Sequence, residues 1–113
     1  MVRYLKLIVK REFSAAHKLL NYEGNCANLH GHTWGIEVML EVPSDVDMTI
    51  DFRDIKEIID SVLPDHQYLN EVYDFNPTAE NLAKHLYIAL KRTALPVVEV
   101  TLWESKDAGA VYP

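Results

Sequence analysis

Apolar and polar residues alternate from Tyr4 to Ser14. Leu5, Leu7, Val9 and Phe13 share one parity, and Lys6, Lys10 and Glu12 share the other. A period of two belongs to a strand with one buried face. The same parity reaches Ala15 and His17 if the strand stays regular. A loop rich in Asn, Gly and Glu follows from Asn21 to Asn28. His30 to Val42 alternates again, with His32, Trp34, Ile36, Val38, Leu40 and Val42 on one side and Glu37 and Glu41 on the other, until Pro43-Ser44-Asp45 ends it. The period then becomes helical. Phe52, Ile55, Ile58, Ile59, Val62 and Leu63 form one apolar stripe between a capping Asp51 and a terminating Pro64. A second helix is predicted from Pro77 or Thr78 to Arg92, with Leu82, Ala83, Leu86, Ala89 and Leu90 inward. Glu80 and Lys91-Arg92 at its two ends suit the helix dipole. Val97 to Ser105 returns to a strand, and Ala110 to Tyr112 forms a short last one after a turn at Asp107-Ala108-Gly109. The order ββααββ predicts one α+β domain over residues 1–113, with two helices on one face of an antiparallel sheet.

Composition narrows the function. A chain of 113 residues can bury a real core but is small for a solitary enzyme pocket. A net charge of −6 argues against general binding to nucleic acid or to an anionic membrane. One cysteine makes no internal disulfide, which points to a reducing compartment. The first ten residues alternate in character instead of presenting an unbroken apolar run, and no apolar stretch is long enough to span a bilayer. A cytoplasmic, soluble protein is expected.

The chemistry concentrates in His17, Cys26 and His30-Gly31-His32. Three imidazoles suit a catalytic zinc because they leave one tetrahedral position for water or substrate. His30 and His32, two apart on a strand, point to one face, and Gly31 leaves the other face uncrowded. Two simpler readings stay open: separate histidines held by local hydrogen bonds, or a closed zinc site with Cys26 as fourth ligand. Asp65-His66, directly after Pro64, is either a carboxylate-oriented imidazole that moves protons to or from a thiol, or a solvated surface pair. Val98, Val100, Leu102 and Glu104 share a parity, so a carboxylate extends an apolar row. Burying it is costly unless a ligand with two adjacent N–H donors, such as a pterin or guanine edge, satisfies it; otherwise Glu104 meets solvent or Lys106 at the strand end.

Phe13-Ser14-Ala15-Ala16-His17, Cys26-x-x-x-His30-Gly31-His32, Asp65-His66-Gln67-Tyr68-Leu69-Asn70, Asn76-Pro77-Thr78-Ala79-Glu80 and Trp103-Glu104-Ser105 occur in that order. Together they resemble the family of 6-pyruvoyltetrahydropterin and 6-carboxytetrahydropterin synthases over nearly the whole chain. The resemblance implies the tunnelling fold, in which subunit sheets join into a barrel and trimers stack into hexamers with active sites between subunits. It implies one zinc per subunit on His17, His30 and His32, with Cys26 as proton acceptor assisted by Asp65 and His66. These two residues would serve the zinc of another subunit. Glu104 would anchor the pterin ring, with Thr78 and Glu80 nearby. The implied substrate is 7,8-dihydroneopterin triphosphate. The compact chain and the Cys-x-x-x-His-Gly-His spacing favour the carboxy branch, a lyase that yields 6-carboxy-5,6,7,8-tetrahydropterin, acetaldehyde and triphosphate for 7-deazaguanine synthesis and hence queuosine or archaeosine. The pyruvoyl branch of tetrahydrobiopterin synthesis is the alternative. A third branch, supplying folate, typically uses glutamate in place of the cysteine; Cys26 counts against it, although Glu23 lies nearby. A zinc-containing module that binds a pterin or purine without turnover is the reading from a different class.

Overall fold

The computed structural model describes residues 2–24 and 27–113. Its elements are β1 (Tyr4–His17), β2 (His30–Pro43), α1 (Phe52–Val62), β3 (Gln67–Tyr68), α2 (Leu69–Val72), α3 (Ala79–Lys91), β4 (Val97–Trp103) and β5 (Gly109–Tyr112). The sheet runs β3-β1-β2-β4-β5, antiparallel throughout except for the parallel pairing of β1 with β3. The α+β class with helices on one face is as the pattern predicts. Two short elements, β3 and α2, are additional, because a two-residue strand and a single helical turn carry too few positions to show a period.

Strand β1 runs the full fourteen residues, so the parity that buries Val9, Phe13 and Ala15 carries His17 into the interior. Facing residues of β2 (Trp34, Ile36, Val38 and Leu40) are buried against Ile55 and Ile59 of α1 and Leu82, Ala83, Leu86 and Leu90 of α3. Asp51 caps α1 by accepting from the Arg53 N–H at 2.9 Å. Thr78 caps α3 by accepting from the Asn81 N–H at 3.1 Å.

Three details differ from the pattern. Phe52 belongs to the helical stripe but is exposed at the first turn of α1, beside the exposed Val46 and Met48. In β4 the buried row begins at Val97 and not Val98. A register shift opposite Met39 and Leu40 inserts one residue and resets the parity before Val100 and Leu102. Gly31 is not required for space within its own chain, since a Cβ there would meet only the Ala15 carbonyl oxygen at 4.0 Å. No helix of the described residues is long and apolar enough to cross a membrane.

Candidate metal centre

The register of β1 with β2 sets His17 directly opposite His30 and Ala15 opposite His32, so all three imidazoles leave the sheet on one face at one end of the hairpin. One ring nitrogen from each lies within 4.8 Å of the other two. The Nε2 atoms of His17 and His30 are 3.0 Å apart. The rings meet edge to face, with centroids 4.6 to 5.1 Å apart, and Trp34 continues the stack beneath His17 and His32. Trp34 is itself fixed by its indole N–H, which donates to the Ala15 carbonyl oxygen at 3.2 Å.

Backbone carbonyls orient two of the rings. His17 Nδ1 lies 2.8 Å from the Pro77 oxygen, and His30 Nδ1 lies 2.6 Å from the Asn28 oxygen. A carbonyl can only accept, so each Nδ1 carries the proton and each Nε2 presents its lone pair to the cluster. This is the outer arrangement that metal-binding histidines adopt. His32 supplies the fit test. Its Nε2 is buried without any hydrogen-bond partner among the described residues, and an orphaned buried nitrogen is costly unless something coordinates it. Burial holds the His32 imidazole below its usual range; Glu104 opposes that shift, and His17 and His30 add to it. Neutral imidazole is the form that binds a metal. The three histidines are positioned to bind a metal ion.

Glu104 reaches the same point from the end of β4. Its carboxylate oxygens stand 3.9 Å from His17 Nε2 and 3.7 Å from His32 Nε2, beyond hydrogen-bonding distance but on the cluster. The turn that aims it is tight: the Glu104 N–H donates to the Ala108 oxygen at 3.0 Å. A Cβ on Gly109 would overlap the Leu102 carbonyl oxygen and stand 3.0 Å from Trp103 Cα.

The remaining sequence-derived candidates are placed elsewhere. Cys26 lies outside the described residues. Asp65 and His66 occupy the turn after α1 at the outer edge of β1. Asp65 Oδ1 accepts from the Ser14 N–H at 2.9 Å, its Oδ2 is 2.9 Å from His66 Nδ1, and the His66 N–H donates to the Ser14 carbonyl oxygen. His66 adopts a left-handed backbone at φ 58°, and the Asp65 contact holds its imidazole. The Ser14 hydrogen bond holds the Asp65 carboxyl below its ordinary range, with His66 assisting. The dyad is formed, but Ser14 precedes His17 by three residues of extended strand, roughly 10 Å, and has the opposite parity. Within one chain the dyad does not join the histidines. Thr78 is engaged as the α3 cap, and Glu80 is exposed in the first turn of α3 with no ion pair among the described residues.

Two residues quoted only as motif letters prove structural. Asn70 and Asn76 bind the backbone of the segment that leaves His17, at Lys18 and Leu20 respectively. Asn70 sits in the single turn of α2 and Asn76 in the loop before α3, where no periodic signal exists, so pattern alone does not reveal them.

The family described as 6-pyruvoyl tetrahydropterin synthase matches residues 6–113. The dihydroneopterin monophosphate aldolase of Pyrococcus furiosus is 35% identical over 111 residues, spanning 92% of this chain and 93% of that protein. The 6-carboxy-5,6,7,8-tetrahydropterin synthase of Synechocystis is 33% identical over 118 residues, spanning 93% and 92%. The solved structure of Caenorhabditis elegans 6-pyruvoyl tetrahydropterin synthase superposes with a TM-score of 0.85 at 26% identity, covering 97% of this chain and 95% of that one.

Proposed function

Because the chain belongs to the 6-pyruvoyl tetrahydropterin synthase family, we propose that it is a zinc-dependent lyase acting on the side chain of a dihydropterin. The finer reading is conversion of 7,8-dihydroneopterin triphosphate and one water to 6-carboxy-5,6,7,8-tetrahydropterin, acetaldehyde and triphosphate. The observation that carries it is the unpartnered, buried His32 Nε2 facing two further imidazole nitrogens. His17, His30 and His32 would hold the zinc, which when bound polarises side-chain oxygens as a Lewis acid.

The residues of the chain divide the remaining work. Cys26 accepts the proton from the side-chain carbon. The Asp65–His66 pair relays it, the carboxylate orienting the imidazole through the 2.9 Å contact. Glu104, whose carboxylate lies 3.7 to 3.9 Å from two of the ligand nitrogens, anchors the pterin ring by accepting from its adjacent N–H donors, with Thr78 and Glu80, at the start of α3 beside Pro77, nearby.

A second copy of the chain completes the site in this reading. Among the described residues the outer edge of β1 pairs with β3 only at Ala15 and Ala16, Ser14 is bound by Asp65 and His66, and residues 4–13 of that edge offer backbone groups to another strand. Val2, Tyr4, Leu5 and Ile8 are exposed along the same stretch. A trimer closing the sheets into a barrel, doubled to a hexamer, would cover them and bring the dyad of one subunit to the zinc of the next.

The aldolase reading has one specific support, the 35% identity to the Pyrococcus furiosus protein. Product analysis by mass spectrometry separates the possibilities. Zinc-loaded protein is incubated with dihydroneopterin triphosphate and, separately, with its monophosphate, alongside Cys26→Ala. Carboxytetrahydropterin and acetaldehyde from the triphosphate, absent with Cys26→Ala, are expected. Pyruvoyltetrahydropterin would move the protein to the biopterin branch. Cleavage of the monophosphate alone would make it an aldolase. No turnover of either, with zinc bound, would overturn the enzyme reading in favour of a binding module.

A further inference from the structure

The segment immediately after His17 is neither strand nor helix, yet its backbone is paired as though it were a strand. The Lys18 N–H donates to Asn70 Oδ1 at 2.8 Å, and Asn70 Nδ2 donates back to the Lys18 carbonyl at 2.8 Å. Two residues on, the Leu20 N–H donates to Asn76 Oδ1 at 2.9 Å, and Asn76 Nδ2 donates to the Leu20 carbonyl at 3.2 Å. A primary amide carries a donor and an acceptor side by side, as does one residue of a strand edge. Lys18 and Leu20, spaced by two, are successive residues on the same edge of an extended segment. Two side chains therefore take the place of two rungs of a ladder.

The clamps are themselves anchored. Asn70 lies within α2. The Asn76 carbonyl accepts from Asn81 Nδ2 at 2.9 Å and from the Thr78 N–H at 2.8 Å, which ties it to the capped start of α3. Its neighbour Pro77 supplies the carbonyl bound to His17 Nδ1. One short stretch of chain thus holds the His17 ring and the backbone that departs from it. That backbone is the first arm of the loop whose sequence carries Cys26, six residues after Leu20 and four before His30.

We propose that Asn70 and Asn76 are positioning residues, amide clamps that set the course of the 18–20 arm and, for Asn76, the orientation of His17 through Pro77. The two act separably. Asn70 fixes the arm alone, whereas Asn76 fixes the arm and the ligand. The effect on turnover rests on the lyase reading above; the effects on cysteine accessibility and metal affinity do not.

The test compares Asn70→Ala and Asn76→Ala in the full chain, with Asn70→Asp and Asn76→Asp, which keep the volume and lose the donor, used if the alanine forms fail to fold. Hydrogen exchange should show lost protection at the Lys18 amide in the first variant and at Leu20 in the second. Losing one two-way clamp should raise the rate of Cys26 alkylation by iodoacetamide about tenfold. Competition with a chromophoric chelator should show zinc and cobalt affinity within about twofold of wild type for Asn70→Ala, and reduced roughly 10–100-fold for Asn76→Ala. In both, kcat should fall about tenfold with little change in KM. Wild-type alkylation and metal affinity despite lost amide protection would reduce the clamps to structural hydrogen bonds and overturn the proposal. Unchanged protection at Lys18 and Leu20 would overturn its premise. A protein without turnover in any form would sink the lyase reading while leaving the alkylation and affinity results to decide this one.

Discussion

His17 and His66 are both histidines held by hydrogen bonds, and they are held to opposite ends. The His17 side chain has no exposed surface; its Nδ1 is bound to Pro77 and its Nε2 faces two other imidazoles and a carboxylate. The His66 side chain is 83% exposed, and its Nδ1 is bound to a half-exposed Asp65. The first arrangement is complete within one chain apart from the metal. The second is a formed acid–base pair that meets none of the three clustered histidines of its own chain. A positive-φ residue and a backbone hydrogen bond hold this exposed imidazole in its turn, which is the observation behind the proposal that it serves a second copy of the chain.

The contrast can be broken from the metal side with the largest effect. His30→Ala and His32→Ala should each reduce zinc affinity by more than the roughly 10–100-fold typical of outer-shell partners, read by chelator competition. Cys26→Ala should leave that affinity unchanged. Asp65→Asn and His66→Ala should also leave it unchanged while lowering turnover by about 10²–10⁴-fold. Loss of zinc on changing either dyad residue would show that the dyad belongs to its own chain's cluster.

Acid should separate the two regions in order. The folded pKa of His32 is lowered from 6.5, so the unfolded chain binds more protons just below that pH. The stability of the metal-free protein is therefore full above about pH 6.5 and declines as pH falls through the window beneath it. Zinc retention should decline over the same range because its ligands must be neutral. Asp65 is likewise lowered from 3.8, so its contribution is present above that value and is lost only as pH falls further toward the folded value. Urea melts across pH should show Asp65→Asn slightly less stable than the wild type above about pH 3.8, with the difference vanishing as pH falls further toward the folded value.

Much of this was legible in the chain. Alternation in β1 and β2 placed His17, His30 and His32 on one face, and the helical stripe with Asp51 and Pro64 bounded α1 closely. Parity through Val100 and Leu102 brought Glu104 to the buried face even though the bulge had shifted Val98 out of register. What escaped was whatever depends on a neighbour distant in sequence. The clamps of Asn70 and Asn76 join residues 52 and 56 positions apart. The separation of the dyad from the histidines follows from which side of Ser14 the post-helix turn meets, and periodicity carries no such information. Phe52 shows the same limit from the opposite direction, a stripe residue left exposed because nothing among the described residues covers it at the start of α1.

Smaller effects sharpen the comparison. Gly109→Ala should destabilise the protein by about 1–3 kcal/mol in urea unfolding, since the new methyl meets backbone and not a movable side chain. It should lower turnover as well, because the same turn aims Glu104. Arg11→Ala removes a bidentate pair with Asp60, at 2.7 and 2.8 Å, that ties β1 to α1 near the dyad. That pair is solvent-accessible, so its loss should cost under about 1 kcal/mol and leave zinc affinity as it was.

The claim that one chain's dyad serves another chain's metal is tested most directly by mixing two inactive variants. Cys26→Ala and His66→Ala subunits, differently tagged and assembled together at equal amounts, should regain about one quarter of wild-type turnover in the mixed oligomers, since sites that draw both intact residues from different chains form at that frequency. Mixed oligomers no more active than the two parents would contradict the account, placing the thiol and the imidazole of each site on the same chain.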